Sequence, residues 1–168
     1  MRRNCMYLVE GPCERKLIEA LKENPSKIIP GKIKVFNVIQ DKIPKSVLLS
    51  VQPDTMMVLV FDTDVVKTDV LRENIRSLKR YCQRVSIVYL AQVLNFEDEI
   101  IRCTDVSKAE ELTKSKTIAN FKSSVNRMKA YDFRMSLERH KLDMNKLWNK
   151  KTSKEFSFIE QNHKLVKI

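Results

Sequence analysis

Thr55-Met56-Met57-Val58-Leu59-Val60-Phe61-Asp62-Thr63-Asp64 is the most continuous apolar run in the chain, and it stops abruptly on two aspartates. A strand whose successive residues all avoid water has both faces covered, which is the situation of an inner strand in a parallel sheet. The run therefore predicts a strand over 55–62 at the centre of such a sheet, with Asp62 and Asp64 just beyond its carboxyl end.

The flanking sequence supplies neighbours for that strand. Upstream, Cys5-Met6-Tyr7-Leu8-Val9-Glu10 is a short apolar run ending in an acid and followed by Gly11-Pro12, which predicts a buried strand with a sharp stop. Leu17, Ile18, Ala20 and Leu21 repeat on one side of a helix over 13–24, which Pro25 closes. Residues 33–39 alternate and are β-branched, predicting a strand, and a short helix starts near Pro44. Downstream, Val70, Leu71, Ile75 and Leu78 face a core from a helix over 67–82, and residues 85–91 form another strand.

Strands alternating with helices predict right-handed crossovers, and hence an α/β, Rossmann-like, mostly parallel four-stranded sheet flanked by helices. After Gln92 the pattern changes to helices alone, over 97–103, 107–112, 117–130 and 134–150. The expected organisation is an α/β core over 1–92 with a helical basic extension over 93–168 packed on it as a single structural unit.

Charge points to the partner. Lysine and arginine number 32 against 21 aspartates and glutamates, a net charge of +11. Residues 107–168 alone hold 15 basic against 7 acidic residues. A nucleic acid, DNA or RNA, is the polyanion such a surface would grip, with solvated lysine-rich helices as the plain alternative. Lys116, Lys122 and Arg127 belong to this basic set, and phosphate contacts from them would position a substrate without reading its sequence. A homodimer or larger complex remains open. No apolar run is long enough to span a membrane, and no signal-peptide core is visible. Cys5, Cys13, Cys82 and Cys103 are far apart without a C-x-x-C pair, as buried thiols of a reducing cytoplasm would be. His140, His163, Asp98 and Glu99 read as surface or helix-capping groups, and Trp148 as an anchor to the core.

A parallel sheet brings Glu10, Asp62 and Asp64 to one edge, the carboxyl edge at which such sheets bind ligands. Acids gathered there repel one another unless a cation offsets them, and oxygen ligands without cysteine or histidine suit Mg²⁺ or Mn²⁺. Gly11 would let the backbone come near phosphate. Glu97, at a helix start, is divided between capping and a second metal site.

Two motifs carry a family resemblance. Tyr7-Leu8-Val9-Glu10-Gly11-Pro12-Cys13-Glu14, an apolar strand ending in Glu-Gly before a helix, resembles the first motif of the Toprim family of topoisomerases, primases and small nucleases. Val58-Leu59-Val60-Phe61-Asp62-Thr63-Asp64 resembles its second, a strand ending in Asp-x-Asp, and Asn95-Phe96-Glu97 is similar to a helix start of OLD-like, abortive-infection members. The resemblance implies a stand-alone Toprim-like fold and a Mg²⁺-dependent nuclease, with a role such as phage defence. Glu10 would be the general acid or base or a metal ligand, and Asp62 and Asp64 the metal ligands. It equally admits a non-catalytic module that binds nucleic acid or a protein partner. The chain lacks a glycine soon after Asp64 and lacks the G-x-x-x-x-G-K-[ST] of an ATPase.

Overall fold

Which face of the sheet each side chain meets follows from the two-residue alternation of the strands. The computed structural model describes residues 4–168. Its strands are β1 (Cys5–Val9), β2 (Lys32–Val35), β3 (Met56–Asp62) and β4 (Ser86–Gln92), in the order β2-β1-β3-β4. Every pairing is parallel, so the expected α/β, Rossmann-like sheet is present. The helices are α1 (Pro12–Lys22), α2 (Lys45–Leu49), α3 (Asp69–Tyr81), α4 (Phe96–Cys103), α5 (Ile118–Arg127) and α6 (Ala130–Arg139).

Tyr7, Val9, Val58, Val60, Val88 and Leu90 share a core with residues of α1, α4, α5 and α6. Leu8, Met57, Leu59 and Phe61 point the other way, onto α2, α3 and Phe156. Met56 to Phe61 are buried without interruption, because β3 has a neighbouring strand on each side and helices on both faces. The chain leaves β1 towards β2 on one side and returns past it to β3 on the other. The strand order thus reverses between β1 and β3, and the carboxyl edge at such a switch point is where parallel sheets bind ligands.

Two of the departures from the expected elements have clear local causes. The strand expected over 33–39 stops at Val35, because Asn37 Oδ1 accepts from the N–H groups of Ile39 and Gln40, both at 3.0 Å, and turns the chain. The helix expected over 134–150 ends at Arg139, with Lys141 at φ 54° and Trp148 at φ 58°. A buried carboxylate organises those turns: Glu99 accepts from the Trp148 N–H at 2.6 Å and is paired with Arg102. Glu99 is thus a core residue, not a capping or surface group, while Trp148 is the anchor expected of it. His163, expected on the surface, is also buried, and His140 Nδ1 lies 3.2 Å from Asp105.

Past α6 the extension is mostly turns and short 3₁₀ segments, and it reaches both faces of the sheet. Phe156 and Ile159 pack on the α3 side, and Val166 returns to the α1 side. Between them, Asn162 Oδ1 accepts from the Tyr89 N–H at 3.1 Å and Gln161 Nε2 donates to the Ala91 carbonyl at 3.3 Å. These amides occupy the outer edge of β4, which would otherwise offer unpaired backbone groups to another chain. All four cysteines are free and buried. Among the described residues no helix is long and apolar enough to cross a membrane.

Gly31, which leads into β2, passes so close to β1 that a Cβ would lie 2.6 Å from the Cys5 carbonyl oxygen. Because the obstacle is backbone, Gly31→Ala is expected to destabilise the fold by about 1–3 kcal/mol, as overpacking does, read from the urea midpoint. An unchanged midpoint would mean that β1 and β2 separate at no cost.

Candidate metal and phosphate site

Glu10 follows directly on β1, and each of its carboxylate oxygens is held from a different side. Oε1 accepts from Asn37 Nδ2 at 3.0 Å, and Oε2 accepts from the Asp62 N–H at 2.9 Å. The side chain therefore spans from the turn after β2 to the end of β3, across the switch point. Thr63 fixes the next step of the chain. Its N–H donates to the carbonyls of Gln92 (3.1 Å) and Leu94 (3.0 Å), and its Oγ1 accepts from the Leu94 N–H at 3.1 Å. Leu94 is drawn into the left-handed region, φ 73°, by this knot. Asp62 and Asp64 lie on either side of the pinned threonine, the first half-buried and the second exposed.

The packing of α1, α4 and α5 adds three more charges. Glu14, in the first turn of α1, is only 5% exposed, and Glu97, in the first turn of α4, is 8% exposed. Lys122 on α5 places Nζ 2.9 Å from Glu97 Oε1, an ion pair whose angles fall outside those of a hydrogen bond. Cys13 ties α1 to α5, its Sγ donating to Asn126 Oδ1 at 3.5 Å.

Burial and mutual repulsion dominate the electrostatics. Asp62 is pushed up to about 9, first by burial and then by Glu14, Glu10, Asp64 and Glu97. Burial raises Glu14 to about 7, opposed by backbone N–H groups at Glu14 and Gly11 and assisted by Glu10 and Glu97. Glu10 is raised by burial and by Asp64, against the hydrogen bonds from Asp62 and Asn37. Burial likewise pushes the Cys13 thiol up to about 12, so it stays protonated.

The sequence-predicted Glu10, Asp62, Asp64, Glu97 and Lys122 thus sit in one electrostatic neighbourhood. Lys116 and Arg127 do not join them: both are exposed, and Lys116 lines a surface depression with Lys108, Glu110 and Lys114. Gly11 is extended, φ −146°, a conformation open to any residue, and its missing Cβ leaves room for Glu14 Oε2, which would stand 3.0 Å away. Glu14 is the member that reading the sequence missed. Its position three residues after the helix cap, where a glutamate folds back on the cap N–H, was the available signal.

Hard oxygen donors and a half-buried Asp62 whose Oδ1 is buried without a hydrogen-bond partner fit a divalent cation. No three acid, cysteine or histidine side chains among the described residues are already grouped to hold one ion. Closing on an ion therefore requires side-chain rotation, for which the exposed Asp64 has room. The chain matches no protein-family model, no curated protein and no solved structure.

An acid with a raised folded pKa holds its proton more tightly folded than unfolded. Its stabilising effect is complete below the ordinary carboxylate range and is lost as the pH climbs through the folded value, near 7 for Glu14 and near 9 for Asp62. In EDTA, the melting temperature of Asp62→Asn, whose amide does not ionise, is expected to gain on that of the wild type between about pH 5 and about pH 9. Parallel melting curves across that range would show that Asp62 ionises without cost.

Proposed function

We propose that this chain is a divalent-metal-dependent phosphodiesterase of Toprim type that cuts nucleic acid. The observation that carries the proposal is the meeting of Glu10, Asp62 and Asp64 at the sheet's switch point, where Asp62 Oδ1 is buried and unpartnered. Asp62 and Asp64 would hold Mg²⁺ or Mn²⁺, with Glu10 and Glu97 beside them. When bound, such an ion polarises a phosphodiester and offsets the charge of the departing oxygen.

The chain's own residues account for the remaining steps. Glu10 is oriented by Asn37 and by the Asp62 N–H, and burial raises its pKa, the direction that suits a group that takes or gives a proton. Lys122, about half exposed, can exchange Glu97 for a phosphate oxygen without leaving the site. Exposed lysines and arginines of the extension, Lys116 and Arg127 among them, would hold the polyanion at a distance from the reacting bond.

Labelled DNA and RNA incubated with Mg²⁺ or Mn²⁺ provide the test. Wild type is expected to cut one of them, and EDTA or Asp62→Asn to abolish cutting. Glu10→Gln should slow it by about 10²–10⁴-fold while the fold, read by circular dichroism, is kept. Salt-sensitive binding with no cutting under either metal would instead establish a nucleic-acid-binding module of the same shape. Absence of binding even at low salt would reject both.

A further inference from the structure

Gln92 ends β4 directly beside Asp62, its register partner at the end of β3. Neighbouring strands lie about 4.8 Å apart, and the alternation that puts Val60 and Leu90 in the α1-side core sends Asp62 and Gln92 the same way. Gln92 is 0% exposed, yet neither its Oε1 nor its Nε2 has a hydrogen-bond partner. Asp62 Oδ1, next to it, is buried and unpartnered too.

The fold gives no reason for an amide here. The backbone of Gln92 already serves the Thr63 knot through its carbonyl, which any residue would provide. An apolar side chain of similar size would fill the same space without burying two unsatisfied polar atoms. Orphaned polar atoms on adjoining residues, at the point where the carboxylates converge, imply something that hydrogen-bonds to them. Mg²⁺ and, to a lesser degree, other hard cations keep part of their hydration shell when bound, and the O–H groups of that water need acceptors from the protein. The glutamine Oε1 supplies such an acceptor, and its N–H groups suit a carboxylate oxygen beside the ion.

We propose that Gln92 is an outer ligand of the cation site, its amide holding hydration water of an ion bound at Asp62. The proposal rests on the metal-binding reading of the site and deepens it. Gln92 touches no substrate and is a positioning residue: it sets how tightly the ion is held, and through the ion how Asp62 is oriented.

The test is a Mn²⁺ titration of the intact chain, with affinity read by calorimetry and the metal-induced rise in melting temperature read alongside. Gln92→Met, nearly isosteric and apolar, is expected to melt at or above the wild type in EDTA. Its Mn²⁺ affinity should fall by about 10–100-fold, the usual effect of losing an outer-shell partner. A Gln92→Met protein that binds Mn²⁺ as tightly as wild type overturns the proposal, and if it is also less stable in EDTA, the amide serves a structural water instead. Should Gln92→Met fail to fold, Gln92→Glu decides: a larger Mn²⁺-induced rise than in wild type supports the proposal, and an equal or smaller one overturns it. A wild type that does not respond to Mn²⁺ rejects the metal reading of the whole site, a result distinct from failure at Gln92 alone.

Discussion

The carboxylate of Glu10 is the constraint on which the site depends. One oxygen binds the Asn37 amide and the other the Asp62 N–H, so a single side chain joins the turn after β2 to the end of β3. Asn37 is itself committed, because its Oδ1 closes the turn that terminates β2. Asp62 is committed through the sheet register and through Thr63, which is tied to the ends of β4. Displacing Glu10 would release the ends of two strands together. The same fixity would serve the proposed chemistry, since a group already held by two hydrogen bonds needs little reorganisation to meet a substrate.

That order is maintained against electrostatic cost. Glu14 and Glu97 are buried at the first turns of α1 and α4 beside the half-buried Asp62, with Lys122 as the cation paired to Glu97. Burial is the largest influence on both Asp62 and Glu14, and each neighbouring carboxylate adds to it. Burial and repulsion in this cluster both favour the protonated carboxyls, which is why the pKa values rise. A divalent ion would relieve that repulsion, and the protons would be released in exchange. Selection for stability alone would have put apolar side chains at Asp62 and Gln92. Their juxtaposition is what the proposed metal site would show if it accepted a stability penalty for a bound state.

The sheet was legible because its cause is local. Six successive apolar residues before Asp62 can be satisfied only by an inner strand, and the acids at the ends of β1 and β3 followed from parallel pairing. What escaped depends on contacts distant in sequence. Val38 and Ile39 continue an apolar alternation, so the turn made by Asn37 is invisible without knowing that Asn37 also serves Glu10. Glu99 looks like a helix-start acid until Trp148, far along the chain, is seen to donate to it. Gln92 has no marking in the sequence at all, because a glutamine closing a strand is ordinary until its burial and its neighbour are known.

The basic extension shows why composition points to a partner without locating it. Some of its cations are engaged within the fold: Arg134 with Glu138, Lys141 with Asp105, and Lys167 with the Leu147 carbonyl. The extension also packs on both faces of the sheet and occupies the outer edge of β4, so its first role is to complete the core. Lys122 connects the two roles. It lies on a helix of the extension yet reaches Glu97 at the sheet edge, where it answers the same negative charge that would draw a metal ion. A bound ion and a phosphate would together change what Lys122 faces, since the ion neutralises the carboxylates as the phosphate brings new charge from outside. On the proposed function, the residue that balances the carboxylates is also the one that would hold a phosphate of the substrate.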